Sequence, residues 1–288
     1  MVKKLMHKGS AVLSCAARAL EEDLLGWELP PLDIVFAEGS LEQDDPSEWC
    51  PRCGGSVGAG ECRDGRCAAC RERHSSIDAT IRLTEYGGAY AGRILQVKHA
   101  RWHALAFEFG RRLGTRSVEL LPPELKLDML VAIPMPWIRR WHRGIDHADE
   151  IARGVASVTH AQIVRPLRQR QGQTQVSRSP TERRRAAGRF ALRPSWTQPE
   201  LRPGGLLRLM DGRGWFPRRL GSFRSIGLVD DVRTTGATLE QAARLLRAAG
   251  ARRVVALVIA VAPDPSRRRR TERGSRPQLV DVQGIGSG

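Results

Sequence analysis

Apolar positions along the chain fall into a few clear periods. Residues 91–114 place Ile94, Val97, Leu105, Phe109 and Leu113 on one helical face, which predicts one long helix. Residues 145–158 repeat that spacing with Ile145, Ala148, Ile151, Ala152 and Val155. Thr238–Ala249 does so with Leu239, Ala242, Ala243 and Leu246, and Gly250 supplies the C-terminal stop. Asp128–Ile133 is a short apolar run ended by Pro134, and Ser225–Val229 is a second. Val254–Val261 is continuously apolar, as a strand buried on both faces must be. Two strand-like pieces flank Tyr86-Gly87-Gly88. Strand–helix–strand alternation from 128 to 262 predicts an α/β fold, a parallel sheet with helices on both faces.

The remaining stretches set the organisation. Residues 1–27 read as a short helix and 28–48 as a Pro- and acid-rich linker, so 1–48 precede the folded part. Residues 49–76 form a cysteine-rich module, and 77–263 form the α/β domain. Within that domain, 165–224 read as a long loop rich in Arg, Gly, Pro and Gln. It has a weak strand signal at Phe190–Leu192 and an insertion over 194–222. Residues 264–288, an Arg run with a Gly-rich end, are expected to be disordered.

Composition narrows the class. The chain has 288 residues, 41% of them apolar, enough for a buried core. No stretch approaches eighteen consecutive apolar residues, so membrane insertion is not expected. The N-terminal run Ala11–Cys15 is too short for a secretory segment, and a cytoplasmic protein is expected. The net charge is +16, concentrated in 165–193, 202–224 and 264–276. Such segments suit anionic partners, whether phosphates, nucleic acid or an acidic protein surface, or else form solvated arginine-rich loops.

Cys50-x-x-Cys53 and Cys67-x-x-Cys70 stand thirteen residues apart. Two such turns close a tetrahedron of thiolates around Zn2+, with Gly54-Gly55 and Gly65 supplying the positive-φ positions. Cys62 is an alternative to Cys67 as third ligand, and His74 follows an already complete set of four. A closed set leaves no position for water, so the predicted role is structural.

The stretch from Ile226 to Thr238 carries the most chemistry. An apolar strand runs into Asp230 and Asp231, then into Thr234, Thr235, Gly236, Ala237 and Thr238, where a helix begins. The turn and helix start present N–H groups and a positive dipole end, which suits a phosphate monoester. Gly236 permits close backbone approach, and the threonines add hydroxyl donors. Asp230 and Asp231 at the strand end can accept hydrogen bonds from vicinal ribose hydroxyls, directly or through Mg2+. No Walker-type lysine loop and no serine elbow is present in the sequence, which removes those two enzyme classes. His99, His103, His142 and His147 form no metal-spaced set with a carboxylate and read as surface or structural residues.

VDDVRTTGAT over 229–238 resembles the phosphoribosyl-pyrophosphate signature of type I phosphoribosyltransferases. The wider order is similar to the competence-associated ComF family: a cysteine module, Tyr86-Gly87-Gly88, a helix with Lys98, Ile133-Pro134-Met135-Pro136, then Arg139 to Gly144. This likeness covers about residues 50–262. The family's RGFNQA reads RGIDHA here, with Ile145, Asp146 and His147 as departures. The resemblance implies a type I phosphoribosyltransferase-like, Rossmann-like domain behind a zinc ribbon. It implies that Asp230 and Asp231 engage the ribose with Mg2+, and that Arg143 and Gly144, with Arg139 and Lys98 as further candidates, serve the pyrophosphate side. A magnesium-dependent transfer to a nitrogen acceptor is one expected function. The other is a non-catalytic DNA-uptake factor, holding single-stranded DNA or competence proteins through its basic loops.

Overall fold

The computed structural model describes residues 32–37, 41–99, 102–136, 144–170, 188–193 and 225–264. The chain divides into two compact units, Met1–Leu41 and Glu42–Gly288. In the first, helix α1 (Leu32–Ala37) lies inside the stretch read as linker. Among the described residues, no helix is long and apolar enough to cross a membrane.

The second unit is an α/β fold. Its elements are α2 (Ala68–Glu72), β1 (Ala79–Glu85), α3 (Gly88–His99), α4 (His103–Leu120), β2 (Met129–Ala132), α5 (His147–Thr159), β3 (Gln162–Val164), β4 (Leu167–Gln169), β5 (Phe190–Leu192), β6 (Ser225–Arg233), α6 (Ala237–Ala248) and β7 (Arg253–Val261). Five strands form one parallel sheet in the order β1-β7-β6-β2-β3. The inner strand β7 is buried from Val254 to Val261, which accounts for its unbroken apolar run. Helix α6 covers one face, where Leu239, Ala242, Ala243 and Leu246 pack on Ile226, Leu228, Val254, Ala256 and Val258. Helices α4 and α5 cover the other face and run against each other at backbone contact. A Cβ on Gly154 would lie 2.0 Å from the Phe107 carbonyl oxygen.

Several expectations are corrected. The stretch 91–114 is two helices, α3 and α4, with buried Trp102 at the start of the second. The apolar period continues in phase across the break, so the pattern could not register it. The two pieces expected at 78–90 are one strand, β1, followed by a strand-to-helix turn at Gly88, whose φ is +49°. Strand β6 runs on past Val229 through both aspartates to Arg233, because β7 continues beside it to the pair Arg233–Val261. The loop expected at 165–224 contains β4, which pairs antiparallel with β5. Residues 1–27, 194–222 and the tail beyond Asp264 lie outside the described residues.

The cysteine module lies along β1. Thr80 donates its N–H to the Pro51 carbonyl (2.8 Å), and Asp44 donates to the Leu83 carbonyl (2.8 Å). Arg82, 1% exposed in mid-strand, donates to the Gly54 carbonyl (2.7 Å) and Asp44 Oδ2 (2.6 Å), with its guanidinium over the Trp49 ring.

Candidate functional site

The sheet order reverses between β2 and β6. From β2 the chain moves outward to β3, and from β6 it moves outward the other way to β7. Parallel α/β sheets bind ligands at such a switch point, beyond the carboxyl ends of the strands. Two of the sequence motifs meet there. Ile133 closes β2 by donating its N–H to the Val229 carbonyl (2.9 Å), and the Pro134 carbonyl accepts from Gln169 Nε2 (2.8 Å). Beside them β6 overhangs the end of β2, because β2 pairs only as far as Val229.

Strand alternation sends the two carboxylates to opposite faces. Asp231, 7% exposed, lies on the α4–α5 side. Its Oδ1 accepts the Val232 N–H (2.6 Å), while its Oδ2 meets Lys98 Nζ at 2.8 Å and His147 Nε2 at 3.0 Å. Burial alone would raise the Asp231 pKa. The His147 hydrogen bond and charge, then Lys98, outweigh burial and hold it below the usual carboxylate range. Asp230, on the α6 side, accepts the Asp231 N–H at Oδ1 (2.9 Å). Burial, and next the Asp231 charge, push the Asp230 carboxyl up to about 8.

The loop after the strand is open. Thr234, Thr235 and Ala237 are exposed. Gly236 caps α6 in the left-handed region, with φ +74°, where a side chain would be strained. Thr235 Oγ1 accepts the Ala237 N–H (3.4 Å), and Thr238 Oγ1 accepts from Arg189 (3.4 Å). The helix start therefore presents N–H and hydroxyl groups on an accessible edge, a chemistry suited to a phosphate.

The second cluster is the cysteine set. The sulfurs of Cys50, Cys53, Cys67 and Cys70 all lie within 4.8 Å of one another. Sγ–Sγ distances are 4.0 Å for Cys50–Cys70 and 3.8 Å for Cys53–Cys67. Backbone N–H groups of Gly55 and Cys67 point at the sulfurs of Cys53 and Cys50, each at 3.4 Å. Without a cation this crowd cannot ionise evenly. The Cys53 hydrogen bond pushes Cys50 down to about 4, whereas burial, then the Cys50 charge, push Cys70 up to about 12. Four sulfurs so placed, with N–H donors to thiolate, could hold a metal ion and fit a tetrahedral site. Cys67 rather than Cys62 completes the set. Gly54 and Gly65 take positive φ as expected, and Gly55 does not.

Of the residues singled out in the sequence, Lys98 and Asp231 are in contact, and Asp230 and 234–238 adjoin them along the chain. Gly144 is exposed at φ +65°, two residues before the N-cap of α5. Arg139 and Arg143 lie outside the described residues, as do most of the basic segments. Sequence reasoning set His147 aside, yet it is 6% exposed and on Asp231. The available signal was its place among the departures in RGIDHA. Arg233, inside the threonine loop motif, was also passed over, and it reaches the cysteine module. No protein-family model matches the chain, and no curated protein matches it.

Proposed function

We propose that this chain is a type I phosphoribosyltransferase-like protein of the ComF kind. Its Asp230–Thr238 segment binds phosphoribosyl pyrophosphate, or a related ribose 5-phosphate ligand, with Mg2+. The observation that carries the reading is the overhang of Asp230 and Asp231 at the sheet's switch point, followed directly by an open threonine-glycine turn at a helix start. A zinc ion held by Cys50, Cys53, Cys67 and Cys70 belongs to the same proposal.

In the transfer, a nitrogen lone pair forms a bond to the anomeric carbon as the carbon–oxygen bond to pyrophosphate breaks. The electron pair leaves with the pyrophosphate. Mg2+, when bound, supplies positive charge to that leaving group. The residues divide the remaining work. Thr234, Thr235 and the α6 N-terminus donate hydrogen bonds to the 5-phosphate. Asp230, once ionised, accepts from a ribose hydroxyl. Lys98 and His147 fix Asp231, and the Lys98 ammonium stands beside the site. Positioning and charge stabilisation dominate such a reaction.

Calorimetric titration of Mg2+ and phosphoribosyl pyrophosphate into the zinc-loaded protein tests the reading. Saturable binding is expected, reduced at least about tenfold in Asp230→Asn. A folded wild type that binds nothing overturns it and moves the weight to a DNA-uptake scaffold, whose affinity for single-stranded DNA would fall steeply with salt.

A further inference from the structure

We infer that the cysteine knuckle and the threonine-glycine loop are one coupled device, in which metal occupancy at the four sulfurs holds the loop in shape through Arg233. The inference rests on the metal half of the reading above and goes beyond its phosphoribosyl half, because it stands whatever ligand the loop takes.

Three contacts carry it. Arg233, the last residue of β6, donates from Nη1 to the backbone carbonyl of Cys53, one of the four sulfur residues. The Nε–Nη2 edge of the same guanidinium lies against the loop glycine. A Cβ on Gly236 would fall 2.6 Å from Arg233 Nε and 2.8 Å from Nη2. On the far side of the loop, Glu240 in the first turn of α6 accepts from Ser75 Oγ (2.8 Å) and the Ser76 N–H (2.9 Å), shortly after Cys70. The loop is therefore strapped to the cysteine module on its entering and its leaving side.

The turn that presents the Cys53 carbonyl is a metal knuckle. Gly54 donates to the Cys50 carbonyl (2.7 Å), and Gly55 donates to the Cys53 sulfur. A metal fixes that sulfur and with it the carbonyl. Removing the metal leaves four crowded thiols with no common partner, and the turn loses its reason to hold that shape. Arg233 then keeps only its long contact to Thr80 Oγ1 on β1 (3.4 Å), and the guanidinium beside Gly236 is less firmly placed. Coupling of this kind is reciprocal: whatever orders the loop tightens metal binding. Arg233 is a positioning residue here, acting through Cys53 and Gly236.

Hydrogen exchange on the full-length protein tests the coupling without any ligand. Chelating the metal is expected to speed exchange of a peptide covering 232–240 at least about fivefold, with little change in 253–261. Zinc-loaded Arg233→Met is expected to show the fast loop already, with chelation adding nothing there. It is also expected to pass zinc to a chromophoric chelator at least about threefold faster than wild type. If chelation unfolds the whole domain, the zinc-loaded variant and its transfer rate decide. Loop exchange and zinc transfer both equal to wild type in Arg233→Met overturn the coupling. If the exchange difference persists while Mg2+ with ribose 5-phosphate binds to neither protein, the coupling stands and the phosphoribosyl reading fails.

Discussion

Adjacent in sequence, Asp230 and Asp231 are set to opposite charge behaviour by their surroundings. Asp231 is held ionised by two basic partners, and Asp230 resists ionisation. A carboxyl whose folded pKa is raised gives stability that is full below its unfolded value, about 4, and is lost as pH climbs toward about 8. Asp230→Asn cannot titrate. Without magnesium, its melting temperature is therefore expected to gain on wild type progressively from pH 4 to 8 and then level off. Parallel melting curves across that range would contradict the burial assigned to Asp230. The acid pair and Lys98 were legible in the sequence, because a strand ending in carboxylates is a local pattern and lysine is rare in this chain. His147 was not legible, because its burial arises only when α5 docks beside β6 and brings it onto Asp231.

At the level of elements, segments with a clear period or apolar run were read well, except that 91–114 is two helices, and the three-residue strands were not. Strand β7 and helices α5 and α6 declare themselves by burial on a regular period. Strands β3, β4 and β5 have three residues each, too few for any period, and only β5 gave a signal. The end of β6 was misplaced for a related reason. Its last four residues are polar or part-exposed, and only the neighbouring β7 keeps them in the sheet. Helix contact was invisible as well. Gly154 and Gly110 let α4 and α5 touch backbone to backbone. Gly154→Ala places a methyl 2.0 Å from a carbonyl oxygen that no rotamer change can move. It is expected to destabilise the domain by about 3 kcal/mol in urea unfolding, despite the better helix propensity of alanine. A neutral result would mean that the two helices slide apart freely.

Taken whole, the second unit is a sheet whose two ends have different tasks. At the carboxyl ends of its strands, the acidic overhang, the threonine turn and Lys98 converge. Along its side, residues 44–57 lie against β1. The sequence revealed the cysteine spacing but not where the module docks, since docking depends on one buried arginine, Arg82, reaching out of β1. That placement has a consequence for the solution behaviour of the protein. β1 is an edge strand, and its outward N–H and C=O groups are templates for another chain. Residues 44–57 occupy them at Thr80 and Leu83. A chain lacking residues 42–76 is expected to associate with copies of itself through the bared edge, with a weight-average mass in light scattering that rises with concentration. A truncated chain that stays monomeric would show that β1 needs no cover. In the intact protein residues 44–57 thus cap an edge that would otherwise lie open to a strand of another molecule.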